Sequence, residues 1–225
     1  MPTSLASDLR VVTGLATAEL AQIYALEDPE LIAAALRELM PGLVDTYALA
    51  GAAVAADYYD SLREENEISG RFQAIVEPLG DLGADILANW AIEPLLLAVP
   101  NLLSSQSRGE RGLQKRIANT SNKTVLDSSV ADPKSYGYQR RTRINGCAFC
   151  KMVANRGAVY TKSTATFACH DDCYCEAVPA WGGKPLPVKR YEVSAKYYGL
   201  TEEERKVKRQ RPNAAARAWI NANLT

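Results

Sequence analysis

The chain has 225 residues, 47% hydrophobic and 23% charged, with 26 basic and 26 acidic side chains. This composition suits one large or two small globular domains and argues against a globally disordered chain. The neutral total hides a split: residues 1–100 hold 16 Asp and Glu against 4 Lys and Arg, and residues 101–225 hold 10 against 22. Regions of opposite sign are expected to meet different partners, or each other.

Residues 1–107 read as an acidic helical region. Ser7-Asp8 is a cap signal for a first helix through Leu15 and Leu20 to Leu26. Asp28-Pro29 opens a second, with Asp28 as N-cap and proline at the first helical position. Leu31, Ala35, Leu36, Leu39 and Leu43 keep helical spacing, and Pro41 is expected to kink or split the element. The alanine-rich stretch Tyr47–Tyr59 favours helix and close helix–helix approach. Gly70 is expected to end or bend the polar, acidic element over Ser61–Ser69. A further helical run over Gly80–Leu103 is broken near Pro94 and Pro100.

Composition turns polar and basic after Ser104. Residues 108–137 read as a linker with one short helix, Glu110–Ile117, and a turn at Asp132–Gly137. Residues 138–182 form a third unit, entered through the basic run Tyr138–Arg143. It holds a short helix over Cys150–Arg156 closed by Gly157, and short strands at Ala158–Tyr160 and Glu176–Val178. Residues 183–225 read as a basic helical tail, with a capping box at Thr201 and Glu204. The fold class expected is α+β: a mainly helical N-terminal region, a small zinc-stapled unit with short strands, and the basic tail.

All five cysteines and the single histidine lie within 147–175. Cys147 and Cys150 make a C-x2-C pair able to grip one ion from a turn, and Cys169, His170, Cys173 and Cys175 follow about twenty residues on. That spacing is the layout of a structural zinc site. Cys147 and Cys150 rank first. Two of His170, Cys173 and Cys175 would complete the tetrahedron, and Cys169 ranks last because a residue adjoining His170 is expected to point elsewhere. Buried free thiols or labile disulfides are the alternative. Neither a signal peptide nor a membrane span is expected, so a reducing compartment favours metal over disulfide. A unit of this size has too little core to fold alone, and a metal staple supplies what is missing.

The string Cys147-Ala-Phe-Cys150-Lys-Met152-Val-Ala-Asn-Arg156-Gly157-Ala-Val159-Tyr160, with His170-x-x-Cys173-x-Cys175-x-Ala177-Val178-Pro179 after it, resembles the C-terminal core of MuF-like minor head proteins of tailed bacteriophages. Versions from phages of actinobacteria are the most similar, and the resemblance covers about residues 136–182. It implies a head-morphogenesis protein associated with the portal and the capsid interior, made in the host bacterial cytoplasm. It implies a structural core at the Cys and His positions, with portal and major capsid protein as partners. Cys169 is not part of the family pattern.

Three functions compete. A structural minor capsid protein would dock its acidic half on portal or capsid protein. Its basic half, through Lys189, Arg190, Arg205, Lys206, Lys208, Arg209 and Arg211, would meet packaged double-stranded DNA phosphates without reading sequence. A solvated tail is the bland reading of the same charges. A capsid maturation protease would need a base for its nucleophile, but the one histidine sits in the metal cluster, and neither G-x-S-x-G nor H-E-x-x-H occurs. A zinc-containing DNA-binding protein would need a basic recognition helix, where Cys150–Arg156 offers only Lys151 and Arg156. The expectation is binding rather than turnover, with no catalytic residue assigned. Tyr136, Tyr138, Phe149, Tyr160, Phe167 and Trp181 are expected to pack as ordinary core around the metal unit.

Overall fold

The structure, a computed structural model, describes residues 4–142, 148–158, 160–161, 175–182, 201 and 203–204. Chain order is α1 (Leu5–Tyr24), α2 (Pro29–Glu65), α3 (Ala84–Ile92) with a 3₁₀ turn at Glu93–Leu96, and α4 (Leu102–Ala131). Then come β1 (Gly137–Arg141), α5 (Ala148–Ala154), β2 (Tyr160–Thr161) and β3 (Glu176–Ala180). The molecule is mainly helical with a small antiparallel sheet in the order β2-β1-β3.

Helix α1 starts earlier than the Ser7-Asp8 signal implies. Ser4 is the N-cap, and its hydroxyl accepts from the Ser7 N–H at 3.2 Å. Asp28 caps α2 as its sequence signal predicts, accepting from the Glu30 and Leu31 N–H groups. Pro41 does not split α2, which runs unbroken for 37 residues. Proline forfeits the bond to the carbonyl four residues back, at exposed Arg37, where water can serve it. The neighbouring Leu36, Met40, Leu43 and Val44 are all buried and hold the helix in place.

The expected linker over 108–137 is instead mostly helix. Helix α4 is continuous for 30 residues, far beyond the short element expected over Glu110–Ile117. Its second half buries Thr120, Ser121, Asn122, Thr124, Ser128 and Ser129. Ser121, Thr124 and Ser129 each return their hydroxyl to the carbonyl four residues back, so they enter the core with their polarity satisfied. Helix α4 is thus central, against α1, α2 and α3 on one side and the sheet on the other. Helix α2 has the length and apolar composition of a membrane span, yet it packs here against α1, α3 and α4.

Two apolar clusters lie along this axis. The upper joins α1–α4 through Leu20, Ile32, Leu36, Met40, Leu87, Leu113 and Ile117. The lower joins the helices to the sheet through Leu5, Tyr58, Tyr59, Val125, Tyr138, Val153 and Tyr160. Between α2 and α3, residues 66–83 cross the surface without regular structure. The Arg63 guanidinium donates to the Ile68, Ser69 and Gly70 carbonyls, and Asp60 and Ser128 accept from the Ala74 and Ile75 N–H groups. At the far end, the Thr201–Glu204 capping box forms as its sequence predicts: Thr201 N–H donates to Glu204 at 2.8 Å and Glu204 N–H to Thr201 Oγ1 at 3.4 Å.

Candidate metal centre and its anchorage

Of the predicted ligands, the structure describes Cys150 and Cys175; Cys147, His170 and Cys173, with Cys169, lie outside the described residues. The basic residues Lys189, Arg190, Arg205, Lys206, Lys208, Arg209 and Arg211 lie outside them as well. Among the described residues no group of three Cys, His, Asp or Glu side chains is assembled for a metal.

Both described cysteines are buried, at 2% and 4% exposure. Cys150 sits on α5, one turn before Val153, so the two share a helix face. Val153 belongs to the lower cluster with Tyr138, Tyr160 and Ala177, which fixes α5 against the sheet. Tyr160 Oη donates to the Val153 carbonyl at 3.3 Å, and the Tyr138 and Tyr160 rings stack with centroids 5.0 Å apart. Gly157 takes φ +68°, the left-handed value that closes the helix and that glycine adopts without a Cβ penalty.

Cys175 stands at the entrance of β3, a strand buried at every position. It is held from α4. Asn122 Nδ2 donates to the Cys175 carbonyl at 3.2 Å and to Ala118 O at 2.8 Å, while its Oδ1 accepts from the Ala177 N–H at 2.6 Å. The Ala177 donor fixes the orientation of the carboxamide. One amide thus meets an edge strand as a neighbouring strand would, taking the carbonyl of one residue and the N–H two residues on. It also covers an edge that would otherwise be free to pair. Between those two residues, Glu176 accepts from the Ala6 N–H at 3.0 Å and pairs with the Arg141 guanidinium, which also donates to Tyr58 Oη.

The other end of β3 is tied to the same helix. Asp132, the fully buried C-cap of α4, accepts at Oδ2 from Tyr59 Oη, Arg63 Nε and Trp181 Nε1 at 3.0–3.1 Å. At Oδ1 it accepts from the Lys134 N–H. Burial alone would raise the Asp132 pKa; the bonds from Trp181, Lys134, Arg63 and Tyr59 outweigh it and hold the carboxyl below its ordinary value. Burial first, and the Asp132 charge second, push the Tyr59 hydroxyl well above its usual range, so it stays a donor. The two attachment points match in length. Ten residues of helix advance about 15 Å, and the strand from Glu176 to Trp181 about 16 Å.

Of the aromatic residues expected in the core, Tyr138 and Tyr160 are buried and Trp181 packs edge-on against Tyr59 at 5.6 Å. Tyr136 is 46% exposed and corrects that expectation. Strand β1 occupies the run expected only as a basic approach. Arg140 and Arg141 sit on it because Tyr138 buries its ring and Arg141 finds Glu176 directly across the ladder. Asn122 and Asp132 have no motif to announce them. Asn122 is signalled only by a Ser/Thr/Asn run at core-facing helical positions, and Asp132 only as the first residue of the Asp132–Gly137 turn.

The sequence matches the VG15 protein family over residues 3–218. No curated protein and no solved structure matches it. With a match spanning nearly its whole length, the chain belongs to the VG15 protein family, which marks it as a bacteriophage protein.

Proposed function

We propose that this chain is a structural protein of phage head morphogenesis, a MuF-like minor capsid protein at the portal and capsid interior, with one structural zinc in its Cys/His cluster. The observation that carries the reading is the family match over residues 3–218, which makes the helical body and the sheet with its flanking cysteines parts of one phage protein. The build of the sheet supports a scaffolding role. Two cysteines are buried at its entrance and beside it, and β3 is fixed to α4 at both ends.

The donor chemistry suits zinc. Thiolates and an imidazole are its preferred ligands, and four of them close a site with no place for a substrate water. Cys147 and Cys150 would supply two, and two of His170, Cys173 and Cys175 would complete the four. A bound ion would join α5 to the start of β3 and add its binding free energy to the stability of the fold. The acidic surface of the helical body would face portal or capsid protein, and the basic tail would face DNA.

The test is the composition of the particle. Virions of the phage that encodes this chain, purified through a density gradient and digested for mass spectrometry, should contain it at low copy, protected from external protease until the head is opened. Its absence from purified heads, with the protein abundant in the infected-cell lysate, would overturn the proposal.

A further inference from the structure

We propose that the groove between α1 and α2 is the docking site for a basic amphipathic helix presented by a partner protein. The inference deepens the docking of the acidic body described above. It rests on that reading for which protein brings the helix, and on the structure for the chemistry the helix must have.

Ile23 and Leu26 of α1 and Ala35, Leu39, Gly42 and Leu43 of α2 line a groove of about 510 Å³. Its floor is buried, with Ile23 and Leu43 each 6% exposed, but its walls are open, with Leu26 at 47% and Leu39 at 49%. A recess with open apolar walls does not wrap a small molecule on most sides, as small-ligand sites do. It suits the mode in which an amphipathic helix lays its apolar face into a groove. From Ala35 to Thr46 the helix advances about 16 Å, or about three turns, enough for anchors at i, i+3 or i+4, and i+7. Gly42 opens the centre. A Cβ there would meet nothing within 4 Å, whereas one at Gly51 would strike Ser121 on α4 at 2.6 Å. Packing within the chain explains Gly51 and leaves Gly42 unexplained. Glycine inside a helix weakens it, and here it follows Pro41. Space for a side chain from outside accounts for that weakness.

The charge around the groove selects the occupant. Between residues 19 and 45 the chain carries Glu19, Glu27, Asp28, Glu30, Glu38 and Asp45, all exposed, against Arg37 alone. Glu19 lines the groove and accepts from Tyr47 Oη at 2.6 Å. Glu38 and Asp45 are two turns apart on one side of α2, each next in sequence to a lining residue, Leu39 and Thr46. Lysines or arginines flanking the apolar face of an incoming helix would meet carboxylates from both α1 and α2. An acidic helix, or this same face on a second copy of the chain, would meet like charge.

The experiment uses the full-length protein and a fluorescein-labelled synthetic helix of about 18 residues, or five turns, with leucines at i, i+3, i+4 and i+7 and lysines elsewhere. A twin peptide carries glutamate in place of lysine. Fluorescence anisotropy reads binding to wild type, to Gly42→Leu, which fills the groove, and to Leu39→Lys, which puts a positive charge on its wall. Leu103→Lys is the control, at an apolar residue 81% exposed on another helix. Circular dichroism checks folding, and Leu39→Lys, at a half-exposed position, carries the test should Gly42→Leu unfold. Sedimentation velocity reads self-association. The lysine peptide is expected to bind wild type, more weakly as salt rises, and the glutamate peptide not to bind. Both groove variants should bind at least about 10-fold more weakly, and Leu103→Lys like wild type. No binding by wild type, equal binding of the two peptides, or groove variants that bind as tightly as wild type would overturn the proposal. A wild-type dimer that Gly42→Leu dissociates would also overturn it, by giving the groove to a second copy. Binding of the lysine peptide by a chain absent from purified heads would uphold the groove while the head-protein reading falls, so the two failures are distinguishable.

Discussion

Arg63 Nε donates to Asp132 Oδ2 at 3.1 Å with both side chains buried, one in the last turn of α2 and the other at the C-cap of α4. The guanidinium also donates to three backbone carbonyls of the 66–83 crossing, and the carboxylate accepts from Tyr59, Trp181 and Lys134 as well. Four separate stretches of chain meet at one buried ion pair.

Removing one partner from such a pair leaves an uncompensated buried charge. Asp132→Ala and Arg63→Ala are each predicted to lower unfolding free energy by about 3–5 kcal/mol, measured by urea denaturation. Because Trp181 also bonds Asp132, the indole fluorescence of the Asp132 variant should shift along with the stability. A loss under about 1 kcal/mol, the range of an exposed pair, would show that the hub is not closed to water.

The same carboxylate sets an acid limit. Its folded pKa is depressed, so the stability it contributes is complete above the unfolded value of about 4 and is lost as pH falls through the folded value. Asp60 works in the opposite sense. Burial raises its pKa more than the Ala74 N–H lowers it, so its contribution favours the folded state at low pH. Thermal midpoints of wild type should fall below about pH 4, and Asp132→Asn should flatten that fall while lowering the midpoint at neutral pH. An acid limb unchanged in Asp132→Asn would place the titration elsewhere.

Two glycines of α2 should respond oppositely to alanine. At Gly51 a Cβ would meet Ser121 Oγ at 2.6 Å and Ile117 Cγ2 at 3.0 Å on α4, where the serine hydroxyl is engaged and the isoleucine is fully buried. Gly51→Ala is predicted to cost about 1–3 kcal/mol through overpacking. At Gly42 nothing lies within 4 Å, so Gly42→Ala should stabilise by about 0.5–1 kcal/mol from helix propensity and a smaller unfolded ensemble. Chemical denaturation of the two variants side by side reads both signs, and destabilisation at both positions would contradict the packing described.

The features legible in the sequence are local ones. Asp28-Pro29, Gly157 and the Thr201–Glu204 box each act within a few residues, and each is where its chemistry places it. The break in the Gly80–Leu103 run near Pro94 is also found. Helix α4 is obscured because much of the buried face of its second half is Ser, Thr and Asn, which interrupt the apolar periodicity, and Ser121, Thr124 and Ser129 satisfy themselves on the helix's own carbonyls. Strand β1 is obscured because Arg141 reads as solvated until Glu176 is placed opposite it. The Arg63–Asp132 and Asn122–Cys175 relationships join residues 69 and 53 positions apart, and only the packed fold brings them together. The cysteine cluster is visible as spacing, which points to a metal site without choosing its ligands.

The most direct test of the account is the metal content of the purified full-length protein, by elemental mass spectrometry, for wild type, Cys147→Ser and Cys150→Ser. The account predicts about one zinc per chain in wild type, as expected for a single tetrahedral site, and loss of both metal and thermal stability in either variant. Metal-free wild-type protein that is folded and stable, with serine variants indistinguishable from it, would contradict the account.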